Sequence, residues 1–143
     1  MAVGLPLLPR WLRWTGVFAV ASLIFYLSIL TTPPAEPIVT KPDPLPLDKW
    51  RHFLAYAAFG LSLAYATTDW QASTRVLAVG VVGTTVLYGL GIEFGQLFLP
   101  NRYFSLGDAY ANAIGGVLVL PWYLIRPSVS FTPVESWLRD RVP

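Results

Sequence analysis

Four stretches of this chain carry no charged residue at all: Trp14 to Leu30, Phe53 to Thr68, Val76 to Ile92 and Ala109 to Ile125, each 16 or 17 residues long. At about 1.5 Å of rise per residue such runs reach roughly 25 Å, and one more turn of flanking residues spans a hydrocarbon core of about 30 Å. No strand alternation and no amphipathic stripe runs through them. Helices that are apolar all round are what lipid requires, because the backbone must satisfy its own hydrogen bonds there. The pattern predicts four transmembrane helices, over about Arg13–Thr31, Asp48–Thr68, Arg75–Leu99 and Asp108–Ile125. Buried core helices of a larger soluble protein would show the same pattern, but nothing else in the chain could cover them.

Between the first two runs, residues 32–47 hold six prolines in sixteen positions, which forbids a helix and favours a stiff, extended connector. The other connectors, 69–74 and 100–107, are short. Short links force neighbouring helices to run antiparallel, so the expectation is an all-α, integral membrane, four-helix up-down bundle over residues 13–125. Residues 1–12 precede it, and residues 126–143 follow as a tail. In that tail Phe131, Val134, Trp137 and Leu138 recur at helical spacing among Glu135, Arg139, Asp140 and Arg141, which reads as a short amphipathic helix on the membrane surface or as a frayed end. Arg10 and Arg13 before an apolar run also fit the start of a signal peptide. Against that, the run exceeds the usual 7 to 15 residues and no Ala-x-Ala site follows it.

Composition agrees with lipid as the solvent. The 143 residues are 55% hydrophobic and 13% charged, against about 25% charged in soluble domains, and the mean hydropathy is +0.54. A formal net charge of +2 is too small for a nucleic-acid binder, which needs a dense basic stripe. The absence of cysteine excludes disulfides, thiolate metal sites and cysteine nucleophiles. Six basic residues, Arg10, Arg13, Arg75, Arg126, Arg139 and Arg141, fall on the side of the termini, and four, Lys41, Lys49, Arg51 and Arg102, on the other. That bias places both termini in the cytoplasm of a multi-pass cell-membrane protein.

The polar residues that are unusual in such helices gather at the face away from the termini. Asp48, Lys49, His52 and Tyr56 open the second helix, Glu93 and Gln96 close the third, Arg102 follows in the connector, and Asp108 and Asn112 open the fourth. Asp48, His52 and Tyr56 are four residues apart, so successive side chains drift only about 40° and form one stripe. An acid at mid-helix costs roughly 2.5 to 3.5 kcal/mol against lipid, so these stripes are expected to face one another. Gly91 with Gly95, Gly60 with Ala64, and Gly115 with Gly116 offer thin faces for close helix contact.

The order Asp48-Lys49, His52, Tyr56, Glu93, Gln96, Pro100, Arg102, Ser105, Asp108, Asn112 and Gly115 resembles the VanZ-like membrane proteins, named for a teicoplanin-resistance factor. The run Glu-x-x-Gln-x-x-x-Pro-x-Arg-x-x-Ser-x-x-Asp-x-x-x-Asn-x-x-Gly carries most of it, and the likeness covers about Leu47 to Leu120. The resemblance implies a small multi-pass membrane protein linked to the cell envelope. It implies no particular reaction.

Each of these residues also has a purely structural reading. Ser105 and Asp108 form a capping pattern before an apolar run, and Asp48 can cap the second helix. Lys49 and Arg51 can snorkel to water, His52 can simply be packed, and Tyr56 can belong to the interfacial belt. Gln96 and Asn112 can be interhelical glue, and Glu93 can pair with Arg102 or Lys49. Three functions can use the same set. As a binding pocket for a lipid-linked or phosphate-bearing envelope molecule, Lys49, His52 and Arg102 would hold the anion while Glu93, Asp108 and Asn112 orient them or the sugar hydroxyls, with Asp48, Tyr56 and Gln96 as further candidate ligand-binding residues. As an enzyme, His52 would be the base, oriented by Asp48 or Asp108, and Glu93 the acid. As a scaffold or accessory subunit, the set would be one buried network. One histidine among carboxylates has no metal-ligand spacing, so neither a metal nor a cofactor is expected. The expected partners are membrane lipids, with a protein partner or a second copy left open, and no polar path continues to the far face as a transporter would need.

Overall fold

A computed structural model describes residues 3–31, 47–100 and 102–139. Its order is β1 (Val3–Leu7), α1 (Arg10–Phe25) running into a π-helical turn (Tyr26–Leu30), α2 (Leu47–Ala66), α3 (Thr74–Gln96), α4 (Leu106–Val117), α5 (Leu120–Ile125), a 3-10 turn (Arg126–Ser128), β2 (Val129–Pro133) and α6 (Val134–Arg139). The chain is mostly helical. Two of its helical stretches, Arg10–Leu30 with 21 residues and Thr74–Gln96 with 23, are long and apolar enough to cross a membrane. In α2, Lys49, Arg51 and His52 crowd the first turns and dilute its apolar run.

The fourth expected helix is not continuous. Pro121 lacks an amide hydrogen and its ring crowds the carbonyl four residues back, so the ladder breaks and residues 118–119 form a turn between α4 and α5. The all-α expectation fails at the ends of the chain. The strands β1 and β2 pair in parallel, with Val3 opposite Val129 and Leu7 opposite Pro133. Phe131, expected on an amphipathic helix, lies in β2 and packs its ring against Trp122 of α5 at 5.9 Å. Only Val134–Arg139 of that expected tail helix is helical among the described residues. β-branched and aromatic residues at 129, 131 and 132 favour an extended chain once a partner strand is present. The proline-rich connector lies, for residues 32–46, outside the described residues.

The core joins Val17 and Ile24 of α1, Tyr56, Phe59, Leu63 and Ala64 of α2, Leu77, Val81 and Ile92 of α3, and Val119 and Tyr123 beyond α4. α2 packs most extensively on α4. The reason is glycine. A Cβ on Gly115 would stand 2.4 Å from the Phe53 carbonyl oxygen, so only a bare backbone allows this approach. Gly60 sits at a triple junction facing Thr85 of α3, Val119 and the Gly116 carbonyl, where a Cβ would make ordinary contacts at 3.5 to 3.7 Å. Gly91, by contrast, is exposed with open space where a Cβ would be, so of the expected Gly91–Gly95 pair only Gly95 meets a neighbour, Ile29 of the π-helical turn at 3.2 Å from its Cβ position.

At one end of the molecule, Arg13 of α1 is almost wholly buried and holds the last turn of α2. Its Nη1 donates to the Ala66 carbonyl at 2.9 Å and to Asp69 Oδ1 at 3.0 Å, while Nη2 pairs with Asp69 Oδ2 at 2.9 Å. Arg10 also pairs with Asp69, and Arg126 Nη2 donates to the Thr68 carbonyl at 2.7 Å. Arginines at a helix C-terminus satisfy carbonyls that have no partner in the helix and oppose the negative end of its dipole. The guanidinium of Arg13, with that of Arg10 beside it, holds the Asp69 carboxyl well below the usual carboxylate range against the opposing effect of burial.

Candidate functional site

At the opposite end, the first turns of α2 and α4 lie side by side. Ser105 caps α4, its Oγ accepting from the Asp108 amide at 3.2 Å, and this leaves the Asp108 carboxylate directed at α2. Lys49 Nζ donates to Asp108 Oδ1 at 2.5 Å, and His52 Nε2 lies 3.7 Å from the same oxygen. These three side chains form a rim, each between 17% and 25% exposed. One turn deeper, His52 Nδ1 meets Asn112 Oδ1 at 2.9 Å.

Below the rim the polar groups are sealed. Glu93 of α3 is wholly buried, and Asn112, Tyr56 and Gln96 are each at most 4% exposed. Glu93 Oε2 accepts from the Ser105 amide at 3.3 Å, which ties α3 to the start of α4. Glu93 also lies within electrostatic reach of Asp108, His52 and Asn112. Three buried polar atoms, Glu93 Oε1, Asn112 Nδ2 and Tyr56 Oη, have no hydrogen-bond partner. Two of these side chains meet at Gly89, where an added Cβ would touch the Tyr56 ring at 3.0 Å and Asn112 Nδ2 at 3.3 Å. Unsatisfied donors and acceptors at this depth are costly, about 1 to 3 kcal/mol each, which makes them the functionally interesting part of the network.

The structure divides the residues expected in one cluster into two groups. Lys49, His52, Tyr56, Glu93, Asp108 and Asn112 are brought together. Gln96 and Arg102 turn toward α1: Gln96 Nε2 donates to the Ser28 carbonyl at 3.1 Å, and Arg102 Nη2 to the carbonyls of Ser28 at 3.5 Å and Thr31 at 3.4 Å. The cause is the end of α1. Its last carbonyls have no partner within the helix, and a guanidinium and an amide nearby satisfy them. Asp48 stands in the first turn of α2, its side chain outside the described residues. Among the described residues no three His, Asp or Glu side chains gather to hold a metal ion.

Sequence reasoning missed the Arg13–Asp69 lock and the part played by α1. Tyr88 Oη donating to the Ala21 carbonyl at 2.7 Å belongs with these. The available signal was Arg13 at the edge of one apolar run and Asp69 directly after another, two opposite charges that an antiparallel pair of helices brings to the same end.

A model of the family described as VanZ/LLP1 matches residues 7–126, from the end of β1 through α5. No curated protein and no solved structure gives a significant match.

Proposed function

The chain belongs to the VanZ/LLP1 family, and from that premise we propose that it is a multi-pass membrane protein of the cell envelope whose polar cluster binds or modifies a lipid-linked or phosphate-bearing molecule. Its four spans are α1 with its π-helical turn, α2, α3, and α4 with α5. What supports an up-down arrangement is the pairing of ends: Arg13 near the start of α1 with Ala66 at the end of α2, and Lys49 at the start of α2 with Asp108 at the start of α4. The surplus of arginines at the Arg13 end supports cytoplasmic termini and an outward-facing cluster.

The observation that carries the reading is the partly exposed rim of Lys49, Asp108 and His52 set directly above buried groups without partners. A network built only for stability would close its hydrogen bonds and exclude water. This one leaves three atoms open and keeps an ammonium at the surface, where it can meet a phosphate. Glycopeptide resistance would be one consequence of holding such an envelope molecule. Native mass spectrometry of protein released gently from the membrane tests the reading. A retained phospholipid or polyprenyl phosphate is the expected result. A stoichiometric protein partner, with no lipid retained at any detergent strength, would overturn it in favour of a scaffold.

A further inference from the structure

The direction of each hydrogen bond inside the cluster follows from its chemistry. Asn112 Oδ1, an amide oxygen, only accepts, so the hydrogen in its 2.9 Å contact with His52 Nδ1 belongs to the imidazole. The orientation of that amide is in turn set by α3. Asn112 Nδ2 lies 3.3 Å from where a Cβ of Gly89 would be, so the amide turns its N–H end toward the face of α3 that carries Glu93 one turn later. Nδ2 and Glu93 Oε1, a donor and an acceptor, are both buried without a hydrogen-bond partner. Turning the amide over would aim its oxygen at the face of α3 that carries the Glu93 carboxyl and bury an acceptor toward an acceptor. Glu93 itself is fixed from the other side by the Ser105 amide.

We infer that Glu93 is a positioning residue which, through Asn112, holds the hydrogen of His52 on Nδ1 and so presents Nε2 at the rim as a lone pair, selecting a headgroup that carries an N–H or O–H donor next to its phosphate. Nε2 lies 3.7 Å from Asp108 Oδ1, so two acceptors stand side by side with the Lys49 ammonium next to them. A primary ammonium or a hydroxyl satisfies the two acceptors while Lys49 meets the phosphate. A quaternary ammonium, having no hydrogen to give, does not. The inference rests on the headgroup reading above and adds to it which chemistry the site accepts.

The chain has a single histidine, so the imidazole 15N spectrum reports His52 alone. It is recorded on lipid-stripped protein in micelles, well above the ordinary histidine pKa of about 6.5. Expected are a pyrrole-like Nδ1 and a pyridine-like Nε2 in the parent, with Asn112→Ala and Glu93→Gln both moving toward the Nε2–H form that free histidine favours. A parent with its hydrogen on Nε2 overturns the inference whether or not either variant folds. The ligand arm compares phosphatidylethanolamine with phosphatidylcholine, which share net charge and differ in N–H donors. The parent is expected to retain phosphatidylethanolamine about tenfold better, the worth of one charge-assisted hydrogen bond, and His52→Phe to retain both alike. Equal retention by the parent overturns the selectivity and leaves headgroup binding standing. Retention of no phosphate-bearing lipid overturns both.

Discussion

Arg13 Nη1 and the carbonyl oxygen of Ala66 are 2.9 Å apart, and through this contact the first helix closes the end of the second. The same guanidinium reaches Asp69, and its side chain is only 2% exposed. Arg13→Gln removes the ion pair and leaves carbonyls of α2 unsatisfied, so a loss of roughly 2 to 3 kcal/mol is expected. Thermal unfolding in detergent checks it. Arg13→Lys should recover only part, because an ammonium lacks the two-pronged geometry that meets both Asp69 oxygens. A Gln variant that melts with the parent would show the contact to be incidental.

Asp69 gives the same end of the molecule a pH dependence of known sign. Arg13 and Arg10 depress its carboxyl in the folded protein, whereas in the unfolded chain it titrates near about 3.9. Stability from this group is therefore complete above the unfolded value and is lost as pH falls through the depressed folded one. Melting temperature should decline below about pH 4 in the parent, and Asp69→Asn should be lower at neutral pH but nearly flat over that acid range. A variant that keeps the acid slope would place its origin in other carboxylates.

Gly115 and Gly91 should respond oppositely to the same substitution. An alanine at 115 drives its Cβ into the Phe53 carbonyl, and backbone cannot yield as a side chain can, so about 1 to 3 kcal/mol of overpacking is expected. An alanine at 91 meets nothing and should be neutral or mildly stabilising, as replacing glycine within a helix usually is. Detergent melting of the two variants side by side decides it.

The contrast between these glycines shows what the sequence could and could not convey. Spacing alone placed Lys49, His52, Asp108 and Asn112 together, because an expensive polar stripe in lipid has few surfaces to face. It could not separate Arg102 from them, because that depends on where α1 ends, and the free carbonyls of Ser28 and Thr31 leave no trace in side-chain pattern. Gly91 and Gly115 look equivalent in sequence, and only the rotation of each helix about its axis tells them apart. The strand pair was hidden for a related reason: Val3–Leu7 and Val129–Pro133 are 126 positions apart in register, and each is too short to signal a strand without the other.

Topology can be tested at two exposed positions at opposite ends of the bundle. Tyr103, in the connector before α4, is 83% exposed, and Gln71 is exposed in the connector before α3. The arginine bias places the first outside and the second in the cytoplasm. In intact cells Tyr103→Cys should react with an impermeant maleimide, while Gln71→Cys should react only after permeabilisation. The chain has no native cysteine, so either label is unambiguous. The reversed pattern would put the polar cluster in the cytoplasm and remove any direct access to outer envelope molecules.

Lys49 and Arg102 carry the same charge at the same end of the molecule, yet their surroundings assign them different work. Lys49 stands on the rim with Asp108 and His52, where an arriving phosphate would meet its ammonium. Arg102 is directed to the carbonyls of Ser28 and Thr31, and so is engaged in holding the end of α1 against the connector. If the rim is the binding site, Lys49→Met should abolish lipid retention. It should melt within a few degrees of the parent, because a partly exposed ion pair contributes only about 1 kcal/mol or less. Arg102→Gln should do the reverse. Its amide can still donate one hydrogen bond to those carbonyls, so melting should fall modestly, and retention should persist because no rim group is touched. Native mass spectrometry and thermal unfolding on the same two samples give all four readings. Loss of lipid from Arg102→Gln with retention by Lys49→Met would move the anion's seat from the rim to the α1 side of the bundle.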